Sequence, residues 1–358
     1  MSKNKILIFV LSVVILGVGV FFIFKKEKKT EFFPQNQNEE NSGSSPANLK
    51  WEKIVENASW SGRDAFGAEV FKNKIWLLGG VEGGKKKPPP AYEDIPHKSD
   101  IWFSDNAKNW QMAIDKAPWH DRRAMTLSVF KDKIWLIGGW EKRFGETKND
   151  VWSSQDGVNW VIATNSASFE PREGHSTVVF KNKIWVLAGV NFFKRKTFND
   201  VWYSEDGKKW TRAISEAPWS KRYDQTLVVF NDKLWLIGGL DFGDEVKKDV
   251  WVSEDGVKWE LATENPPWPA RHGHASFDFK GFLWIVGGWC EEKNKGALND
   301  AWYSEDGYNW QKTKEDGLWT GREDHSVVVF KDKIWLMGGM AQEKEYWEWK
   351  NDIWSADF

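Results

Sequence analysis

From Trp51 to the C-terminus, apolar residues fall into short runs separated by polar turns. The clearest run ends in a glycine pair: IWLLGG at 75–80, IWLIGG at 134–139, IWVLAG at 184–189, LWLIGG at 234–239, LWIVGG at 283–288 and IWLMGG at 334–339. The first glycine place falls at 79, 138, 188, 238, 287 and 338, so the period holds near 50 after a first interval of 59. Runs this short, rich in Val, Ile, Trp and Phe, predict β-strands. Each repeat reads as four of them. Strand a ends at Phe71, Phe130, Phe180, Phe230, Phe279 or Phe330, and a two-residue turn such as Lys-Asn or Asn-Asp leads into strand b, the glycine-pair run. After a variable loop comes strand c, as in DVWYS at 200–204, and an Asp-Gly turn opens strand d. The first repeat has Asp105-Asn106-Ala107 at that turn.

A period near 50 with a glycine pair and a later tryptophan resembles the Kelch-repeat family, over residues 51–358. The resemblance implies an all-β, six-bladed β-propeller of four-stranded blades, of the Kelch-type superfamily that includes the galactose oxidase central domain. The propeller is expected over 50–358, with blades at about 63–114, 122–164, 172–214, 222–263, 271–313 and 322–354. The last repeat runs out after strand c at Trp354, while KWEKIV at 50–55 looks like an isolated strand d. This N-terminal strand is predicted to complete the last blade, which would remove an open edge.

The repeat accounts for 23 of the 27 tryptophans. Strands b, c and d each carry one per repeat, and the loop into strand a carries Trp60, Trp119, Trp219, Trp268 and Trp319, with Phe169 at the sixth place. A large ring at a repeated position is expected to fill space between blades.

Upstream, Ile6 to Phe24 is uncharged over 19 residues and flanked by lysines. That length matches a transmembrane helix. Residues 1–25 are therefore expected to be an anchor or uncleaved signal, and 26–49 a disordered polar tether. The chain would then be a single-pass cell-membrane protein with an extracytoplasmic propeller. A net charge of −2 argues against a nucleic-acid partner. With Cys290 the only cysteine, there is no disulfide framework or Cys-based zinc site. No metal or other cofactor is expected, and the sequence does not set the oligomeric state.

Propeller strands alternate in direction, so the d–a and b–c loops share one face. The other face carries short, nearly identical turns and is expected to be merely solvated. On the loop face an arginine sits eight residues before each strand-a Phe: Arg63, Arg122, Arg172, Arg222, Arg271 and Arg322. These would ring the channel mouth, where they can grip a carboxylate, sulfate or acidic sugar, or pair with the aspartate that opens each strand c. Ligand specificity should come from what differs between repeats. After the arginines come Asp64, Arg123, Glu173, Tyr223, His272 and Glu323; two residues further on come Phe66, Met125, His175, Gln225, His274 and His325. The four unpatterned tryptophans, Trp140, Trp289, Trp347 and Trp349, all fall in b–c loops. The six arginines, Glu173, Glu323, His272, His274 and these four tryptophans are the candidate ligand-binding residues. No catalytic residue is assigned.

Galactose oxidase-type copper chemistry and sialidase boxes find no matching pattern. Kelch-type sialic acid mutarotases resemble this chain in fold, and the arginines with Glu173, Glu323, His272 and His274 could supply their acid–base chemistry. The main expectation is a non-enzymatic module that recognises a protein or glycan through the loop face, with a sugar mutarotase or epimerase as the alternative.

Overall fold

The structure, a computed structural model, describes residues 45–87, 94–243, 245–292, 296–343 and 346–358. Among the described residues six antiparallel blades follow one another along the chain, each with strands in the order a, b, c, d, and smaller sheets form on the loop face. Blade four is typical: Thr226–Phe230, Lys233–Leu240, Val246–Ser253 and Glu260–Thr263. Each strand a packs against the strand a of the next blade, and that of blade six packs against that of blade one, so the sheets close into a β-propeller.

The apolar runs follow from this arrangement. Within strand b of blade one, Ile75 and Leu77 pack towards blade six, and Trp76 and Leu78 towards blade two. Both faces are buried, so the run is continuously apolar rather than alternating. Two-residue turns between strands a and b take positive φ at both positions, as at Lys72 and Asn73. This is the twist-matched hairpin geometry. At the turn between strands c and d, Asp156 Oδ1 accepts the backbone N–H groups of Val158 and Asn159. Gly157 there lies under Trp76 of the preceding blade, where a Cβ would meet the indole at 2.3 Å. Blade one keeps this geometry without the motif, through Asn106 Oδ1 and the positive φ of Ala107.

The turn face is more than a solvated surface. Lys131, Lys181 and Lys331 each donate to a backbone carbonyl in the strand c–d turn of the following blade: Glu205, Glu254 and Asp105. Such exposed links are individually weak but join neighbouring blades.

Ring closure occurs through Lys50–Val55, which pairs antiparallel with Ile353–Asp357 as the outer strand of blade six. Trp51 is buried and meets Trp319 edge-on at 5.8 Å. Residues Pro46–Asn48, assigned by polarity to a tether, form a 3-10 turn instead. Leu49 is buried behind it, and Lys314 N–H donates to the Ala47 carbonyl. Burial of Leu49 and the bonds from Lys314 dock this short polar segment.

One expectation about the fold is corrected. The propeller was to be preceded by a transmembrane helix, but among the described residues no helix is long and apolar enough to cross a membrane. The segment expected to do so, 6–24, lies outside the described residues, as does most of the 26–49 tether. Hydropathy alone suggested that helix, and nothing in the structure supports it.

Deleting residues 50–57 should remove the closing strand and its buried tryptophan. Loss of a core tryptophan alone costs about 3–5 kcal/mol. The melting temperature should therefore fall by about 5 °C or more; an unchanged melt would refute closure through this strand.

Candidate functional site

The six arginines are buried, at 0–1% exposure. In every blade the guanidinium forms two parallel bonds to the strand-c aspartate, with Nη1–Oδ1 at 2.6–2.7 Å and Nη2–Oδ2 at 2.9–3.0 Å. Nη1 also donates to the backbone carbonyl at the first glycine place of strand b, from Gly79 to Gly338. The aspartate Oδ2 accepts in addition the indole N–H of the strand-c tryptophan two residues on. Burial pushes the carboxyls of Asp200, Asp249, Asp300 and Asp352 up, but the arginine's hydrogen bonds and charge outweigh it and hold them below the usual range. Each guanidinium is thus committed inside its own blade, away from the channel mouth.

The arginine backbone reaches the other way. In five blades its carbonyl accepts the N–H of the second glycine of the preceding blade, as Gly339 to Arg63 and Gly239 to Arg271. Two residues after the arginines, a closed ring of backbone hydrogen bonds runs round the channel. Ala124 N–H donates to Ala65, Gly174 to Ala124, Asp224 to Gly174, Gly273 to Asp224, Asp324 to Gly273 and Ala65 to Asp324, at 2.8–3.3 Å. All six residues have positive φ.

This ring fixes the side chains on either side of it. Between it and the loops stand Asp64, Arg123, Glu173, Tyr223, His272 and Glu323, each bridged to the residue just past the strand-b glycine pair of its own blade. Arg123 is thereby paired with Trp140, and His272 with Trp289. Arg123 Nε donates to Glu173 Oε2 at 3.2 Å, and its guanidinium lies 4.8 Å over the Trp140 ring. His272 Nδ1 lies 3.7 Å from Glu323 Oε2. Burial lowers His272 to about 4. Burial and the charges of Asp324, Asp64 and Asp224 push Glu323 well up.

Below the ring, His274 belongs to the inter-blade packing. Its Nε2 meets Thr226 Oγ1 of blade four at 2.9 Å, and its ring edge lies against Gly238. Phe66, Met125, His175 and His325 likewise face the first glycine of the preceding blade. Ala188 is the one non-glycine at that place, and Gln225 is the residue opposite it.

The unpatterned tryptophans divide. Trp289 and Trp347, half-buried, stack across blades five and six at 5.0 Å and 26°. Trp140, also half-buried, sits between Arg123 and His97. Trp349 departs from the expected loop surface: it is buried with Val81, Ile95 and Met340, its ring against Gly83. Around Trp347, Tyr346–Trp349 pairs with Met340–Glu343 on one side and with Lys85–Lys86 of the first b–c loop on the other. Exposed Phe144, Phe192 and Phe193 complete an aromatic collar on the loop face.

Two residues absent from the candidate set complete the mouth. Asp224 and Asp324 belong to the backbone ring itself, where the other four positions are Ala or Gly. That exception to a small-residue position was the available signal. Burial and neighbouring carboxylates push Asp224 well up; burial raises Asp324 to about 6 against the pull of Arg123. Among the described residues, no group of His, Cys, Asp and Glu has the arrangement of a metal site.

A propeller with six internal arginine clasps and one dissimilar ring of side chains at its mouth is the class of protein this chain represents. Residues 124–339 match the KLHDC2/KLHL20/DRC7 Kelch-repeats domain, and the chain belongs to that Kelch-repeat family. A solved structure described as the structure of YjhT has the same fold, with a TM-score of 0.66 and 15% identity, over 84% of this chain and 96% of that one. No curated protein matches the chain.

Arg172→Ala should leave Asp200 buried without its partner and cost about 3–5 kcal/mol in denaturant unfolding; a loss below about 1 kcal/mol would refute the clasp. Burial raises the Asp324 carboxyl, so the folded state binds more protons than the unfolded one between the ordinary aspartate value of 3.8 and about 6. Its contribution to stability falls as pH rises through that window. Asp324→Asn should accordingly raise the melting temperature at pH 8 and have little effect near pH 3.5; an equal effect at both pH values would contradict this.

Proposed function

We propose that this Kelch propeller is a binding module that takes a carbohydrate at the channel mouth on its loop face. The observation that carries the reading is the ring that follows the clasp arginines. Six positions with closely matching backbone settings hold Asp64, Arg123, Glu173, Tyr223, His272 and Glu323. A scaffold needs no such variety, since repeated positions serve the repeat and irregular ones serve a ligand. Carboxylates accept hydrogen bonds from hydroxyl groups. The half-buried Trp289–Trp347 pair offers a flat apolar face to the C–H side of a sugar ring. A few convergent polar groups among aromatic walls is the usual make-up of a small-ligand site.

A second reading, a sugar mutarotase or epimerase, is favoured by one contact. His272 and Glu323 stand 3.7 Å apart, and burial biases both towards their neutral forms. Such a pair can take the proton of an anomeric hydroxyl and return one to the ring oxygen.

A glycan array probed with the full chain should show saturable binding. Trp347→Ala should weaken it about tenfold, the loss of one aromatic anchor, with little change in melting temperature. Polarimetry of the bound sugar's anomers separates the readings: catalysed interconversion lost in Glu323→Gln supports the enzyme. An array with no glycan above background would refute carbohydrate recognition.

A further inference from the structure

The floor of the mouth is a cavity of about 170 Å³ whose lining includes Asp224, Gln225 and Asp324. Asp224 and Asp324 stand on either side of Gly273 in the backbone ring: Gly273 N–H donates to the Asp224 carbonyl, and Asp324 N–H to that of Gly273. Asp224 Oδ1 lies over Gly174 and Asp324 Oδ1 over Gly273, so close that a Cβ at either glycine would come within 2.5 and 2.8 Å. Unlike the strand-c aspartates, neither carboxylate has a hydrogen bond or ion pair to a cation among the described residues.

Gln225 supplies a second, independent observation. It is 5% exposed, and its Oε1 has no hydrogen-bond partner among the described residues. The amide orientation is set by its neighbour. Ser176 Oγ gives its one proton to the Gln225 carbonyl at 2.9 Å and can only accept from Nε2 at 2.8 Å. That leaves Oε1 as the unused acceptor, and leaving a buried acceptor unmet is costly.

Acidic side chains outnumber basic ones at the mouth. Asp64, Glu173 and Glu323 stand above Asp224 and Asp324. The cation in the same ring of side chains, Arg123, is bonded to Glu173 and laid over Trp140. Burial, with repulsion from neighbouring carboxylates added to it, raises Asp224 and Glu323.

We propose that the sugar bound here carries a primary ammonium, seated at the floor of the mouth on Asp224, Asp324 and Gln225 Oε1. An ammonium has three donors and no acceptor, which matches this set of acceptors. A carboxylated sugar would instead bring a negative charge among five carboxylates. The inference rests on the carbohydrate reading and narrows it to amino sugars.

Calorimetric titration of the full chain with a glucosamine tetramer, its fully N-acetylated counterpart, oligosialic acid and tetralysine tests it. The free-amine tetramer should bind at least about tenfold tighter than the acetylated one, since acetylation removes a charge-assisted set of hydrogen bonds. Oligosialic acid should not bind. Asp224→Asn with Asp324→Asn should abolish the preference while the near-ultraviolet circular dichroism is kept, because asparagine tolerates positive φ as aspartate does. Asp224→Asn alone should weaken it in part, which provides a test if the double variant does not fold. Equal or tighter binding of the acetylated tetramer or of oligosialic acid would overturn the ammonium and leave carbohydrate binding standing. Tetralysine as tight as the amino sugar would overturn it in favour of a charge-only site. No binding by any saccharide would overturn both readings.

Discussion

A buried guanidinium must find its hydrogen-bond partners inside the protein, and here the same aspartate and backbone carbonyl meet it six times in the same order. The arginine entering strand a takes both oxygens of the aspartate opening strand c and the carbonyl at the glycine pair of strand b. The second aspartate oxygen also holds the strand-c tryptophan. Three strands of a blade are thereby pinned at their loop-face ends. The arginine's own carbonyl passes the constraint to the preceding blade through the second glycine. A tight backbone approach is needed for this, which is why a glycine with positive φ recurs there.

The clasp also organises the functional face. With the guanidinium buried, the next residue is set in the mouth and the one after it joins the closed backbone ring. Six nearly equivalent anchor points result, free to carry different side chains without disturbing the frame. The acidic character of the mouth follows from what stands at those points, not from the repeated geometry below them. Buried carboxylates held close together, as Asp224 and Asp324 are, repel each other, and a cationic ligand would relieve that cost.

Much of the frame was legible because its determinants are local. Two-residue turns, the glycine pair and the Asp-Gly turn each specify a backbone shape within a few residues, and KWEKIV at 50–55 could be placed by its likeness to other d strands. The arginine–aspartate pairing was visible as an alternative, but choosing it over a ligand-facing ring required knowing that the guanidinium is buried. Trp347 and Trp349 lie two apart in one loop, and only the packing against Gly83 separates the buried ring from the stacked one. Asp224 and Asp324 were overlooked because their importance comes from cyclic closure, which brings residues 100 apart in sequence into one ring. The apolar stretch at 6–24 shows the opposite failure. Hydropathy named a transmembrane helix, and no described helix bears it out.

The most direct measurement of this account is a double-mutant cycle on Arg222 and Asp249, with Arg222→Met, Asp249→Asn and the combined variant unfolded in denaturant. Each single change strands a buried partner, so each should cost several times more than a surface ion pair. The double change removes both charges together and should recover much of that loss, giving a coupling of about 2 kcal/mol or more. Additive losses with coupling near zero would show that the pair does not act as a unit, and would contradict the claim that the clasp holds the blade and thereby sets the mouth.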